Sequence, residues 1–282
     1  MIINDSYNYF EEFSSLKDFR EGLARPMTGR FVEKHSSDDI RKVWFGTHTW
    51  EDAEELLANG YDVGAEKLMK KVLSIHNTAQ RPRQVASVVG YSPIVPNALR
   101  GVPKTMFATK SAPKVVPLRK VFIVNTAGAL IEADKLLESG AVMLNVCNQL
   151  EMAGVRTQIV SIPKFSYTVN KKREVYSLGC SIKLKDYREQ FSFKKMAYVI
   201  AHVSMFRRHG FRYVETCGAK VSFKNRFVTT YGISYARVQK ETVDKLKEMG
   251  VAKDGDIILT YGLIAGCGFN LESVMQELGL KK

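Results

Sequence analysis

The sequence predicts an α/β fold, in which a three-layer, mostly parallel sheet with helices on both faces follows a small helical N-terminal region. After residue 118, short apolar runs typical of buried strands alternate with longer segments of helical period. Before residue 75, apolar residues recur at helical spacing behind a helix-start signal. Hydrophobic residues make up 45% of the 282 positions, which is enough for a packed core.

The N-terminal region, residues 1–75, is predicted to be helical. Thr49 and Asp52 form a capping-box pattern, in which each side chain bonds the backbone N–H of the other residue at a helix start. Gly60 is expected to end that helix. A second helix is predicted over residues 65–74, where apolar residues recur at helical spacing.

Residues 76–118 are predicted to form a basic connector that wraps around the rest of the protein. Proline removes a backbone donor and fixes φ, so a long helix is excluded where prolines are frequent. The prolines of this segment are Pro82, Pro93, Pro96, Pro103, Pro113 and Pro117.

The body, residues 119–282, is predicted to be a basic α/β domain of alternating strands and helices. Its predicted strands cover residues 121–124, 155–162, 174–184, 211–215 and 257–260. Its predicted helices cover residues 133–153, 193–209, 234–249 and 271–278. Strands that are joined through a helix normally run parallel, so a mostly parallel sheet is expected.

The charge changes sign along the chain. Residues 1–66 contain 7 Lys or Arg and 14 Asp or Glu, a balance of −7, while the remaining 35 basic and 15 acidic residues give +20. Residues 67–131 contain 11 basic residues and no acidic one. A surface that carries this positive charge attracts a polyanion, and nucleic acid is the expected partner. Two alternatives stay open: the charge serves solubility, or the acidic first third docks on the basic segment and cancels it.

Two clusters that mix aromatic rings with cations are predicted to contact nucleic acid, because unstacked bases pack on rings while cations follow the backbone. The first cluster is expected in a loop after strand 155–162, at the carboxyl edge of the sheet together with Asn125–Gly128. Its residues are Lys164, Phe165, Tyr167, Lys171, Lys172 and Arg173. The second cluster consists of Lys220, Phe223, Lys224, Arg226 and Phe227.

Several classes of protein are not indicated. The sequence has no apolar run long enough to cross a bilayer and no signal-peptide pattern at its start, so a cytoplasmic location without a membrane partner is expected. The four cysteines show no metal-ligand spacing and are expected to be reduced. No phosphate-binding loop or hydrolase motif occurs, so no catalytic residue, cofactor or metal is predicted.

Three motifs together resemble a little-characterised family of bacteriophage proteins. They are Trp44-Phe45-Gly46-Thr47-His48-Thr49-Trp50, Val95-Pro96-Asn97-Ala98-Leu99 and Phe206-Arg207-Arg208-His209-Gly210-Phe211. The body is also similar, in the order of its predicted elements, to Rossmann-like and von Willebrand factor A-like domains. The latter bind a metal through Asp-x-Ser-x-Ser after the first strand. The matching Asn125-Thr126-Ala127-Gly128-Ala129 lacks these ligands, which implies a metal-free domain.

Together these observations predict a phage-encoded, sequence-nonspecific nucleic-acid-binding protein that favours single-stranded DNA. It would act in the host cytoplasm as an accessory to viral transcription or replication, with a viral polymerase or another phage protein as a further partner. The first alternative is a virion, assembly or protein-interaction component with a metal-free von Willebrand factor A-like domain. The second is an enzyme that acts on a phosphorylated small molecule.

Overall fold

A computed structural model describes residues 1–25, 44–74, 84–90, 92–109, 117–125, 131–217 and 232–280. The strands are β1 (Ile2–Asn4), β2 (Asn8–Phe13), β3 (Gln84–Ser87), β4 (Ser92–Pro93), β5 (Met106–Thr109), β6 (Leu118–Val124), β7 (Arg156–Val169), β8 (Val175–Lys185), β9 (Ile233–Ser234) and β10 (Ile257–Thr260). The α-helices are α1 (Leu16–Leu23), α2 (Trp50–Asn59), α3 (Asp62–Ser74), α4 (Val95–Leu99), α5 (Ala133–Met152), α6 (Phe193–Ala201), α7 (Gly210–Thr216), α8 (Gln239–Glu248), α9 (Tyr261–Gly266) and α10 (Leu271–Glu277). A π-helix, Met205–His209, runs directly into α7, and a 3-10 helix, Tyr235–Arg237, precedes α8.

The main sheet is mixed. Its strand order is β1-β2-β8-β7-β6-β10, and β9 pairs with β7 off this path. The pairs β2–β8, β6–β7 and β6–β10 are parallel, whereas β1–β2, β7–β8 and β7–β9 are antiparallel. The α/β class is therefore confirmed, and the expectation of a mostly parallel sheet is wrong. Strands β7 and β8 are joined by a short turn and are therefore antiparallel, because parallel neighbours need a crossover of a dozen or more residues.

Helices pack against both faces of this sheet, as alternate residues of β6 show. Val121 and Ile123 belong to the larger core cluster, which also contains side chains of α1, α5 and α6. Phe122 and Val124 belong to a second cluster, which contains Tyr235 and side chains from α8. Successive side chains of a strand point to opposite faces, so the two clusters lie on opposite sides of the sheet.

The first 25 residues are not purely helical, and that part of the prediction is wrong. Strand β2 pairs in parallel with β8 and so belongs to the sheet of the body. Its neighbouring residues Tyr9 and Phe10 are buried on opposite faces, which explains why the segment shows no simple alternation. The division of the chain at residues 75 and 118 stays a prediction.

The capping box at the start of α2 is confirmed. Thr49 Oγ1 accepts from the N–H of Asp52 at 3.1 Å, and the Asp52 carboxylate accepts from the N–H of Thr49 at 2.9 Å. Gly60 follows α2 with a φ of +91°, which glycine adopts without strain. Helix α3 begins three residues earlier than predicted.

Two predictions within the body are corrected. Residues 211–215 belong to α7 instead of a strand, because Gly210 has a helical φ of −63° and lets the π-helix continue into α7. Strand β7 extends seven residues beyond its predicted end at residue 162. The strands at 174–184 and 257–260 and the helices at 133–153 and 271–278 agree with the structure within two residues.

The predicted connector contains a small antiparallel sheet of order β3-β5-β4. Two of its described prolines lie where they do little harm to hydrogen bonding. Pro93 is on the edge strand β4, and Pro96 lies in the first turn of α4, where N–H groups have no partner within the helix.

The motifs at 44–50 and 206–211 meet in the structure through a buried arginine. Arg208 is fully buried, and its Nε donates to Thr47 Oγ1 at 2.7 Å. Its Nη2 donates to the carbonyl oxygens of Thr47 at 2.7 Å and His48 at 3.2 Å. The guanidinium also lies over the Phe45 ring at 4.6 Å. Burial lowers the pKa of Arg208, while hydrogen bonds and the ring replace part of its lost hydration.

A second buried network links α2 to α6 through the π-helix. His209 Nε2 is 2.9 Å from the Glu54 carboxylate, and its Nδ1 is 3.0 Å from the Tyr198 hydroxyl. Burial lowers the pKa of His209 although Glu54 opposes that shift. His202 stacks on Tyr198 at 5.1 Å, and its Nδ1 accepts from the N–H of Ser204. Both imidazoles therefore favour the neutral form.

Replacement of Arg208 by alanine is expected to destabilise the protein by about 3 kcal/mol, because it leaves two buried acceptors on Thr47 without their donor. Urea denaturation followed by circular dichroism measures the loss. The exposed Arg188→Ala variant is the matched control and is expected to change stability by less than about 0.5 kcal/mol. Equal stability of the two variants would contradict the structural role of Arg208.

Acid is expected to destabilise the fold through His202, because burial lowers its pKa from 6.5 to about 4. As pH falls, His202 of the unfolded chain binds a proton at a higher pH than His202 of the folded protein does. The free energy of unfolding therefore falls as pH drops from 6.5 toward 4, by up to about 1.4 kcal/mol per pH unit. Urea titrations at several pH values measure this slope. A His202→Phe variant keeps the stacked ring and is expected to show a shallower slope; an unchanged slope would count against the assignment.

Candidate nucleic-acid interface

The longest strands of the sheet form an arm, residues 163–181. Strand β7 pairs with β6 only as far as Ser161 and then continues to Val169. Over this extension β7 pairs with β8, from Lys164 opposite Cys180 to Val169 opposite Val175. The arm thus ends in a tight hairpin turn, residues 170–174, which we call the tip.

Two residues of the first predicted cluster are buried and cannot contact a ligand in this structure. Phe165 has no exposed surface and stacks on Tyr235 at 4.4 Å. Lys164 is 7% exposed, its Nζ lies 5.4 Å from the Phe211 ring, and burial lowers its pKa to about 7. The predicted loop began at Pro163. The strand instead passes this proline at a register shift, where the missing N–H is tolerated.

The tip presents the three remaining cations of that cluster to solvent. Lys171, Lys172 and Arg173 are exposed. Asn170 orders the turn, because its side-chain oxygen accepts from the N–H groups of Lys172 and Glu174 at 2.9 Å each. The N–H of Arg173 donates to the Asn170 carbonyl, and Arg173 adopts a φ of +62°. The cations therefore stand on a defined turn.

The acidic residue of the tip is held by its neighbours. The Glu174 carboxylate accepts from the Tyr176 hydroxyl at 3.0 Å and from the Asn170 amide. Within the described chain, Lys171, Lys172 and Arg173 form no ion pair. The tip thus concentrates positive charge that no described neighbour neutralises.

Aromatic rings lie beside the arm. Tyr167 is half-buried and packs on Tyr235 at 4.8 Å. Tyr7, which the sequence did not indicate, is 43% exposed, and its ring centroid lies 5.5 Å from that of Tyr176. The Tyr7 carbonyl accepts from the N–H of Ser177 at 2.8 Å, which fixes the residue against β8. Tyr7 could be predicted from the sequence only if β2 were recognised as a strand beside the arm.

The second predicted cluster lies outside the described residues. Its members are Lys220, Phe223, Lys224, Arg226 and Phe227. The described chain resumes at Gly232, and Ile233 of β9 pairs with Tyr167. The sequence that follows this cluster is therefore attached to the arm.

Asn125, expected at the same carboxyl edge, has a structural role. It is 1% exposed, and its side-chain amide donates to the carbonyl oxygens of Ile200 at 2.6 Å and Leu136 at 3.3 Å. Its side-chain oxygen accepts from Ser139 Oγ at 3.0 Å. Residue Asn125 therefore ties β6 to α5 and α6. The remainder of the predicted edge loop, residues 126–128, lies outside the described residues.

Between described residues, the acidic front forms few ion pairs with the basic body. Lys194 pairs with Asp62 at 2.9 Å, and this is the one ion pair between described residues that joins a Lys or Arg of 67–282 to an acid of 1–66. The acids Glu11 and Glu54 pair instead with Arg25 and Arg20 of the same region. The alternative of internal cancellation is thus not supported over the described residues.

Comparisons with known proteins add a family but no activity. The model of a family described as "Domain of unknown function (DUF7192)" matches residues 3–281. No curated protein and no solved structure matches the chain. In the described segments, no helix has the length and apolar character needed to span a membrane.

Proposed function

The chain belongs to the DUF7192 family, and since that family carries no assigned activity, we propose from the surface chemistry that the protein binds nucleic acid through the tip of the arm. The observation that supports the proposal is the group of three exposed, unpaired cations on an ordered turn, Lys171, Lys172 and Arg173. Cations of this kind contact phosphates and release condensed counterions, which favours binding without sequence preference.

Single-stranded DNA is the proposed ligand class, because partly exposed rings flank the same arm. Tyr7 and Tyr167 offer ring surface on which unstacked bases can pack. Bases inside a duplex are already stacked on one another and do not offer their faces. Lys164 and Phe165 are buried and are therefore not among the proposed contacts.

The biological setting is proposed from sequence resemblance. The motifs at 44–50, 95–99 and 206–211 resemble bacteriophage proteins, which favours an accessory of viral transcription or replication in the host cytoplasm. A viral polymerase or another phage protein would then be a further partner. The similarity to von Willebrand factor A-like domains stays a prediction.

Neutralisation of the tip is expected to weaken binding in a salt-dependent manner. The variant combines Lys171→Ala, Lys172→Ala and Arg173→Gly, because glycine accepts the positive φ of position 173. The slope of log affinity against log salt should become shallower by about 2, at about 0.7 per phosphate contact on single strands. Fluorescence anisotropy with a labelled oligo(dT), measured from about 50 to 200 mM salt, tests this.

The matched control removes three exposed cations elsewhere, through Lys67→Ala, Arg188→Ala and Lys253→Ala. None of these residues forms an ion pair within the described chain. Both variants lose three charges, so a nonspecific effect of net charge would weaken binding equally. Equal weakening, or no binding by the unmodified protein at about 50 mM salt, would reject the proposal.

Removal of the exposed ring of Tyr7 is expected to weaken binding of single strands selectively. Base stacking on an aromatic side chain contributes about 1 to 3 kcal/mol, so Tyr7→Ala should lose roughly tenfold or more in affinity for oligo(dT). Tyr7→Phe keeps the ring and is the control. An abasic oligonucleotide should bind all three proteins alike; equal losses on both oligonucleotides would show that Tyr7 does not stack on bases.

A further inference from the structure

A cavity lies on the main sheet, at the end of β7 and β8 that is far from the tip, and we call it the sheet cavity. Its volume is about 200 Å³. Four neighbouring strands contribute polar side chains to its lining, namely Glu12 of β2, Ser181 and Lys183 of β8, Gln158 of β7 and Lys120 of β6.

The alternation of side chains along the strands places this polar group on one face. Phe122 of β6 and Val160 of β7 belong to the second core cluster, so Lys120 and Gln158, two residues earlier on each strand, point to the same face. Among the described residues, that cluster includes no side chain of β6 before Phe122 and none of β7 before Val160. The apolar layer on this face therefore ends where the sheet cavity begins.

The hydroxyl group of Ser181 is buried without a partner. Ser181 is 2% exposed, lines the sheet cavity, and forms no side-chain hydrogen bond to a described residue. Its neighbours Cys180 and Ile182 belong to the larger core cluster, so Ser181 points to the opposite face, which is the face of the cavity. Buried hydroxyl groups normally have a hydrogen-bond partner. The Ser181 hydroxyl is thus available to a molecule that occupies the cavity.

Lysine gives the sheet cavity its charge. Lys120 is half-buried and forms no ion pair within the described chain, and its Nζ lies 4.4 Å from the centre of the Phe122 ring. Lys183 donates to the Asp186 carboxylate at 3.1 Å, so its charge is partly compensated. Glu12 is the one acid among the described lining residues, and its carboxylate is 3.7 Å from the Met1 amino group. Lys120 is therefore a cation without a counter-ion, in the same cavity as the unpartnered hydroxyl.

A second cavity continues from the sheet cavity, because Ser14 and Lys183 line both. Its volume is about 340 Å³. Its lining includes Lys195, an exposed lysine that forms no ion pair within the described chain. The two cavities together offer the space that a small-molecule site commonly has, about 300 to 1,000 Å³.

We propose that the sheet cavity binds the phosphate group of a small phosphorylated molecule, whose remaining atoms extend into the second cavity. Three donor groups line the sheet cavity, the ammonium groups of Lys120 and Lys183 and the hydroxyl of Ser181. Phosphate has oxygens enough to accept from all three, whereas a carboxylate has two oxygens. Its negative charge also supplies the counter-ion of Lys120. This site is separate from the tip, and the proposal does not depend on nucleic-acid binding.

Isothermal titration calorimetry of the full chain with glycerol 3-phosphate tests the proposal. Saturable binding is expected, with a dissociation constant of about 1 mM or below. Glycerate, which carries a carboxylate instead of a phosphate, should bind about tenfold more weakly. Lys120→Gln should weaken binding of glycerol 3-phosphate about tenfold or more, because it removes a charged donor. Lys67→Gln removes an exposed lysine elsewhere and is the matched control.

Ser181→Ala separates a role in binding from a role in the fold. It should weaken binding about fivefold, the effect of one hydrogen bond, and leave the Tm unchanged because the hydroxyl has no partner in the described chain. The variant that neutralises the tip should bind glycerol 3-phosphate as the unmodified protein does. Absence of saturable binding, unchanged affinity in Lys120→Gln, equal binding of glycerate, or loss of binding in the tip variant would each overturn the proposal.

Discussion

The buried guanidinium of Arg208 is the interaction on which the arrangement of the helices depends. It joins the π-helix to the segment before α2 through two acceptors on Thr47 and one on His48. Arg207, one residue earlier, donates similar hydrogen bonds to the carbonyl oxygens of Trp44 and Ile131. Both arginines bind backbone oxygens, so the contacts fix the path of the main chain. Three consecutive residues of the π-helix, Arg207, Arg208 and His209, thus contact α2 or the segment that precedes it.

The same helical stretch also supports the arm that carries the tip. Helix α7 continues from the π-helix, and Tyr213 donates from its hydroxyl to the carbonyl of Gly179 in β8 at 2.9 Å. A Cβ atom at Gly179 would lie 2.7 Å from the Phe165 ring and 2.9 Å from the Phe10 ring, so glycine is needed for the close packing there. Close packing at Gly179 therefore accounts for the burial of Phe165 at the base of the arm. The arm is attached to the core at its base and open to solvent at its end.

The features predictable from the sequence are those fixed by local chemistry. The capping box of Thr49 and the long helix α5 depend on neighbours within one or two turns. The pairing of β2 with β8 depends on contacts about 170 residues apart, so no local pattern shows it. Burial of Lys164 and Phe165 was missed because Pro163 suggests a loop, whereas a register shift lets the strand pass. The exposure of Lys171, Lys172 and Arg173 agrees with the loop predicted for them, whereas Tyr7 had no local signal because its partner Tyr176 is distant in sequence.

The left-handed backbone at Arg173 limits how the tip can change during evolution. A φ of +62° is costly for β-branched side chains, and glycine, asparagine and aspartate adopt it most readily. Sequence drift at this position is thus steered toward residues that lack a positive charge. Lys171 and Lys172 are under no such backbone restriction.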